Sequence, residues 1–233
     1  SIEIWKQILS FVETIGPEHP VTASSLNNLA LLYNNQGLYS KAEPLYLRAL
    51  SIREKALGPE HPDTATTLNN LAWLYYQQDL YNKAEPLYLR VLSIREKALG
   101  AEHPDTATSL NNLALQYDNQ GLYSKAEPLY LRALSIREKA LGPEHPYTGI
   151  ILGNLANLYR AQGLYNKAEP LFLRALQIHE KALEPEHPFT ANSLNNLALL
   201  YHNQGLYSKA EPLYLRALSI REKALGPEHP STA

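Results

Sequence analysis

Apolar residues recur every three or four positions along this chain, the spacing of one face of an α-helix. Between residues 20 and 37 they are Ala23, Leu26, Leu29, Ala30 and Tyr33. Pro20 suits the first helical position because its missing N–H has no partner inside the helix there, and Gly37 can end the helix with a positive φ. The pattern predicts an amphipathic helix over this stretch, which we name helix A.

A second helix, helix B, is predicted from Ser40 to Leu57. Ser40 and Glu43 have the spacing of a capping box, in which both side chains satisfy N–H groups at a helix N-terminus. Pro44 then falls in the first turn, where it costs one hydrogen bond at most, and Gly58-Pro59 ends the helix. Later copies of the cap position are Asn82, Ser124, Asn166 and Ser208.

This pair of helices recurs every 42 residues without insertion or deletion. The tripeptide Glu-His-Pro starts at residues 18, 60, 102, 144, 186 and 228, and residues 22–63 differ from 106–147 at four positions. Self-similarity at a fixed period is typical of a solenoid of stacked units. We therefore predict an all-α fold of helix-turn-helix repeats, with function residing on a surface that the stack creates.

One array is expected over residues 1–233. It comprises an N-terminal half-repeat helix and linker at 1–21, repeats at 22–63, 64–105, 106–147, 148–189 and 190–231, and the start of a truncated repeat at 232–233. The chain has no Met and starts and stops inside a repeat, which indicates a piece of a longer protein.

The terminal helices lack a neighbour on one side. Ile4, Ile8, Phe11 and Ile15 share a helical face that we expect to cover the first helix A. The last helix B, residues 210–225, has the same residues as internal copies although no complete helix A follows it. Since solenoids need polar terminal units for solubility, we expect self-association through the terminal helices.

Composition narrows the partner classes. The formal charge is −2, with 21 basic and 23 acidic residues interspersed, and no cluster of Lys or Arg suited to phosphate backbones or anionic lipid. There is no Cys, no signal peptide and no long apolar run. We expect a soluble cytoplasmic protein that binds neither nucleic acid nor membrane.

The spacing of residue types in the first repeat is specific at Leu26, Leu29-Ala30, Tyr33, Gly37, Tyr39, Ala42, Tyr46 and Ala49. In these positions the repeat resembles the tetratricopeptide pattern, in its 42-residue form similar to kinesin light chains and related bacterial proteins. It implies a right-handed superhelix whose concave side is lined by helix A and binds peptides. Because these units are nearly copies of one another, unlike those of kinesin light chains, a bacterial relative is favoured and cargo transport is not transferred.

Histidines are the first candidates for chemistry. The six histidines of the Glu-His-Pro tripeptides lie a whole hairpin apart, so they cannot share one metal ion, and we expect them to cap or tether the interhelical loop. His179 and His202 are interpreted as solvated, as is the run Arg53-Glu54-Lys55. No phosphate loop or nucleophile motif occurs, so no enzymatic activity, metal or cofactor is expected.

Asparagines mark the other face of helix A, together with Ser24, Leu31, Asn34 and Asn35. Mid-helix asparagine is a mediocre helix former, and its amide matches an extended peptide backbone. Recent duplication, which copies residues whether or not they are useful, is the alternative. The predicted groove amides are Asn27, Asn69, Asn111 and Asn195 at one position and Asn28, Asn70, Asn112, Asn154 and Asn196 at the next.

Between the amides runs a stripe that reads Leu31, Trp73, Leu115, Asn157 and Leu199. Trp73 and Tyr76 would supply an aromatic anchor, and Arg160, opposed by Asp118, is the one evident groove cation. We expect an extended peptide across the second to fourth repeats, paired with Asn70, Asn112 and Asn154. The alternative is a structural array that stacks end to end, and an RNA reader is disfavoured because basic residues are lacking.

Two positions depart from glycine at helix ends. Asp79 replaces the turn glycine after helix A, and Glu184 replaces the glycine that follows helix B in the other repeats. Both are predicted to carry a steric cost that glycine avoids.

Overall fold

The structure is a computed structural model that describes residues 2–184 and 186–226. These residues form eleven α-helices and no strand. The helices are α1 (Ile2–Ile15), α2 (Pro20–Asn35), α3 (Tyr39–Ala56), α4 (Pro62–Tyr76), α5 (Tyr81–Leu99), α6 (Pro104–Asn119), α7 (Tyr123–Leu141), α8 (Pro146–Ala161), α9 (Tyr165–Ala182), α10 (Pro188–Asn203) and α11 (Tyr207–Leu225). The predicted all-α fold of helix A and helix B repeats is confirmed.

The chain divides into two compact units, residues 1–116 and 117–233. In the first, α1 packs on α2, the α2–α3 hairpin packs through α3 on α4, and α4 pairs with α5. In the second, α7 packs on α8, α8 pairs with α9, α9 packs on α10, and α10 pairs with α11. Most contacts within each unit therefore join consecutive helices, as in solenoids.

Small and branched residues form the core of each hairpin. Ala23 and Leu26 of α2 meet Ala49 and Ile52 of α3, and the next hairpin repeats the arrangement with Ala65, Leu68, Val91 and Ile94. The buried alanines let the helix axes approach closely. Complete burial of one leucine contributes about 1.5–3 kcal/mol, so Leu26 and Leu68 each stabilise the hairpin to which they belong.

The histidines before helix A are N-caps, which confirms their predicted structural role. His61 Nδ1 accepts a hydrogen bond of 3.1 Å from the backbone N–H of Asp63, satisfying one of the orphan donors of the first turn. The same bond occurs at His19, His103, His145 and His187. His229 lies outside the described residues, among which no group of three His, Asp or Glu could hold a metal ion.

The predicted capping box at helix B is wrong. α3 begins at Tyr39 with Leu38 as N-cap and without a side-chain cap, so Ser40 is already inside the helix and exposed. Glu43 instead accepts a hydrogen bond of 2.7 Å from the Tyr75 hydroxyl of the next repeat. Pro44 consequently lies beyond the first turn of α3, within the helix.

Backbone conformation at the two glycine replacements differs. Asp79 has φ 57° and is the one non-glycine residue of the described chain with positive φ, which confirms the predicted turn conformation. Gly37, at the equivalent position of the first repeat, has φ 71°. The prediction for Glu184 is wrong, because its φ is not positive. α9 ends at Ala182 and Leu183 is extended, with φ −126° and ψ 164°, so the chain leaves the helix before the left-handed residue is needed.

Helix α1 packs on α2 through a different face from the one predicted. Ile4, Ile8, Phe11 and Ile15 are exposed, by 36–70%, rather than covering α2. Leu9 packs against the Ala23 and Leu26 cluster, and Val12 is buried. The helix carries two apolar stripes, and helical spacing alone did not show which one meets α2.

Two residues interpreted as solvated are buried. Arg53 donates to the Asp63 carbonyl and the Thr67 hydroxyl, both at 2.7 Å, and so joins α3 to α4. His179 of α9 is 3% exposed. His202 is exposed, as predicted. No helix of the described residues is long and apolar enough to cross a membrane.

Candidate functional site

Asparagines of adjacent A helices are paired with one another in the first unit. Asn70 Nδ2 donates to Asn27 Oδ1 at 3.1 Å, and Asn112 Nδ2 donates to Asn69 Oδ1 at 3.0 Å. We call these side-chain pairs the amide ladder. Each pair uses one N–H of the donating amide, which leaves the other N–H and the carbonyl oxygen as hydrogen-bonding groups.

The ladder gives these amides a structural role, because their hydrogen bonds join adjacent repeats. Asn27 is buried, whereas Asn28, Asn70 and Asn112 are half-buried. Asn195 and Asn196, in the second unit, are also half-buried. Asn111 and Asn154 are half-buried as well, and both have partners of their own.

A second contact between repeats was missed. Asn34 is 2% exposed, and its Nδ2 donates to Gln77 Oε1 at 2.7 Å, so the interpretation of Asn34 as groove-facing is wrong. The spacing held a signal for this contact. Residues 27 and 34 are seven apart, two helical turns, and so share the side that meets the next helix A.

The apolar stripe lies beside the ladder. Leu31 is 37% exposed, and Trp73, Leu115, Asn157 and Leu199 are half-buried. The Trp73 and Tyr76 rings stack at 4.9 Å between centroids and 23° between planes, and Tyr81 lies 6.0 Å from Tyr76. The predicted aromatic anchor is thus a single cluster on the first unit.

The predicted cation of the second unit has polar neighbours. Arg160 Nε donates to Asn157 Oδ1 at 3.2 Å, which brings two predicted site residues together. Burial raises the pKa of the Asp118 carboxyl to about 6, while the charge of Arg160 opposes that rise. Asp118 therefore carries less negative charge near pH 6 than an exposed aspartate would.

Tyrosines of helix A tie successive repeats together away from the stripe. The Tyr75, Tyr159 and Tyr201 hydroxyls donate to Glu43, Glu127 and Glu169 at 2.6–2.8 Å. Burial and the neighbouring carboxylate raise the pKa of each of these tyrosines to about 12. The Lys83 ammonium also lies 5.0 Å from the centre of the Tyr75 ring. These glutamates are therefore structural.

Comparison with known proteins establishes the family. The profile described as "Tetratricopeptide repeat" matches residues 1–55, 21–97, 75–139, 105–178, 147–223 and 191–233, which together span the whole chain. The chain is a tetratricopeptide repeat protein. No curated protein matches it.

Solved structures place this tetratricopeptide repeat protein beside the kinesin light chain type. BtubC (BKLC) from P. vanneervenii is 27% identical, with a TM-score of 0.77 over 98% of this chain and 92% of that one. A kinesin light chain protein of nearly identical TPR-like repeats from Podosopora anserina is 30% identical, with a TM-score of 0.70 over 89% and 98%. Near-identity of repeats therefore occurs in a protein of that description.

A third structure shares the fold alone. The Rap protein complexed with competence and sporulation factor is 17% identical, with a TM-score of 0.77 over 94% of this chain and 59% of that one. The tetratricopeptide repeat fold commonly mediates protein–protein interaction. Which residues of this chain would do so remains a prediction.

Proposed function

We propose that this tetratricopeptide repeat protein is a non-enzymatic scaffold that binds an extended peptide, or an extended segment of a partner, along the face of its A helices. The observation that carries the proposal is the half-exposed stripe that includes Trp73 and Leu115, next to the amides of Asn70 and Asn112. Apolar side chains of a peptide would contact the stripe, and its backbone would pair with the amides.

The structural role of the ladder is compatible with this proposal. An amide with one N–H already bonded to its neighbour has a fixed orientation, so binding would cost little side-chain entropy. Asn112 keeps a second N–H and its carbonyl oxygen, a donor and an acceptor that suit a peptide group. Binding would thus be largely independent of peptide sequence at the amides and selective at the aromatic cluster.

The proposed scaffold uses no cofactor or metal and binds neither nucleic acid nor membrane. Its proposed location is the cytoplasm. It is consistent with a family whose members are typically non-enzymatic scaffolds. Nucleic acid is disfavoured because the predicted groove residues include a single cation, Arg160, which already donates to Asn157.

An immobilised array of random extended peptides tests the proposal with purified protein. Asn112→Ala should weaken binding about fivefold, the loss of one hydrogen bond, and should also lower stability because a ladder bond is lost. Asn69→Ala is the matched control, since it removes the same ladder bond but keeps the Asn112 amide. If Asn69→Ala weakens binding less than Asn112→Ala does, the difference reports the contact of the Asn112 amide with the peptide rather than the lost packing between repeats.

The stripe offers a second comparison. Leu115→Ser should weaken peptide binding, whereas Leu89→Ser, on the surface of helix B and 46% exposed, should not. Equal effects of the two changes, or no peptide retained by the wild-type protein, would rule out binding at this face.

End-to-end self-assembly is the second candidate, favoured by exposed apolar surface on both terminal helices. Phe11 and Ile15 of α1 are 66% and 70% exposed, and Tyr207 and Leu215 of α11 are 62% and 60% exposed. A shallow cavity of about 350 Å³, lined by Tyr207, Tyr214 and Leu215 among others, lies on α11. Exposed apolar patches of this kind are typical of contact surfaces.

A further inference from the structure

A cavity of about 350 Å³ in the second unit combines three departures from the repeat pattern. Gly149 stands where the other repeats have alanine, Gly153 where they have asparagine, and His179 where they have arginine. All three line the cavity, which lies between α8 and α10.

Two of these departures, His179 and Gly149, lie in contact with each other. His179 Nδ1 lies 2.8 Å from Ser193 Oγ, and Nε2 lies 3.0 Å from the Pro146 carbonyl. A carbonyl only accepts, so Nε2 carries the proton and Nδ1 accepts from the serine hydroxyl. A Cβ at residue 149 would lie 2.6 Å from Nε2, so the glycine makes room for the ring.

Gly153 has no such packing reason. A Cβ added there meets nothing within 4 Å, and its φ is not positive, so an asparagine would fit as it does in the other repeats. Because residue 153 is not an asparagine, one side-chain pair, or rung, of the amide ladder is missing. Asn196, the counterpart of Asn70 and Asn112, consequently has no hydrogen-bond partner among the described residues and lines the cavity.

The missing rung defines the chemistry that the cavity lacks. In the intact ladder, the amide at the position of Asn196 donates to a side-chain carbonyl oxygen of the preceding repeat. A ligand that takes the place of the missing asparagine therefore needs an oxygen acceptor at the end of a short side chain. The described cavity lining includes no carboxylate and one cation, Arg221, and Ile150 and Phe189 add apolar surface.

We propose that this cavity is a subsite for the side chain of a glutamine or glutamate in a bound peptide. The terminal oxygen accepts from Asn196 Nδ2 in place of the missing asparagine, and the methylene groups contact Ile150 and Phe189. The subsite rests on the proposed function, because it selects one side chain of a peptide held along the A helices. His179 shapes the cavity and does not contact the ligand, since both ring nitrogens are occupied.

Three capped amino acids serve as probes in NMR titrations of ¹⁵N-labelled protein: N-acetylglutamine, N-acetylglutamate and N-acetylnorleucine, each as its N-methylamide. We expect the first two to shift the side-chain amide resonances of Asn196 saturably and the norleucine probe not to. A shift by all three probes alike, or by none, would overturn the subsite.

Two variants at one position sharpen the test. Gly153→Asn restores the rung and should weaken binding of the glutamine and glutamate probes at least tenfold. Gly153→Ala, the matched control, also removes the helical glycine but leaves Asn196 unpaired, so it should bind the probes within about twofold of wild type. Unchanged binding by Gly153→Asn would refute the proposal.

The peptide array separates this inference from the proposed function. If Gly153→Asn retains every peptide that wild type binds, including those with glutamine or glutamate, the subsite is wrong and the scaffold function stands. If wild type binds no peptide while the probes still bind as expected, the function is wrong and a small-molecule site remains.

Discussion

Tyr46 and Tyr88 lie at the centre of their B helices with side chains that are almost fully buried. Neither hydroxyl has a hydrogen-bond partner, and burial raises the pKa of both side chains. The fourth repeat has Phe172 at this position, also buried. The packing at Tyr46, Tyr88 and Phe172 therefore requires the ring and makes no use of an oxygen.

Tyr88→Phe should raise the free energy of unfolding by about 1 kcal/mol, because an unsatisfied buried hydroxyl is removed. Tyr75→Phe, the comparison, should lower it by about 1 kcal/mol since the Tyr75 hydroxyl donates to Glu43. Urea denaturation midpoints measure both. A shift in the same direction for the two variants would contradict this assignment.

Asp118 makes stability depend on pH. Its pKa is raised from 3.8 to about 6 by burial, so the folded protein binds a proton more tightly than the unfolded chain does. Its contribution is therefore greatest below about pH 4 and is lost as the pH rises through 6. Arg160 is the charge that opposes this loss.

Asp118→Asn should stabilise the protein at pH 7 by about 1 kcal/mol, a value reduced for the partial exposure of the group. At pH 4 the difference should nearly disappear. Asn34 occupies the same position in the first repeat and is buried, so the amide fits. Denaturation at both pH values gives the comparison, and a gain that is larger at pH 4 would contradict it.

At the scale of the element, the joint between α8 and α9 depends on a matched pair of residues. Gly149 and His179 replace the alanine and arginine of the other repeats together. Because the space beside His179 Nε2 excludes a Cβ, each replacement is understood only with the other.

A double-mutant cycle measures this coupling. Gly149→Ala alone should destabilise by about 1–3 kcal/mol through overpacking against His179. In the His179→Arg background the same change should stabilise by about 1 kcal/mol, since alanine is the better helix former. Equal effects of Gly149→Ala in the two backgrounds would show that the residues are independent.

The turns between helices give a second prediction at this scale. Asp79→Gly should stabilise by about 0.5–1 kcal/mol because glycine adopts positive φ without a steric cost. The change also removes an exposed hydrogen bond of 2.6 Å from the Tyr81 hydroxyl, which water can replace. Glu184→Gly should bring no gain, as the backbone there avoids positive φ. Thermal melts compare the two, and a larger gain at 184 would be inconsistent with the structure.

At the scale of the whole molecule, exposed apolar surface at both terminal helices is predicted to drive self-association. Light scattering over a wide concentration range should show the mass rising with concentration. Leu215→Ser on α11 should weaken this rise, whereas Leu173→Ser, its counterpart on α9 and 46% exposed, should not. A monomer mass at every concentration would contradict self-association. Equal effects of Leu215→Ser and Leu173→Ser on the mass would contradict the role of α11.

The sequence by itself determined the repeat period, the helix pairs, the histidine caps and the left-handed turn at Asp79. Each of these depends on residues close together in the chain, so spacing and residue type are sufficient. It also indicated which asparagines share a face with Leu31, though not what that face meets.

Only the tertiary structure decided the partners of those residues. It paired Asn70 with Asn27, buried Asn34, Arg53 and His179, and turned the stripe of Phe11 away from α2. A helical pattern fixes the direction of a side chain around its own axis, but its burial depends on the neighbouring helix. For the same reason the cavity beside Gly153 became visible only once α8 and α10 were placed together.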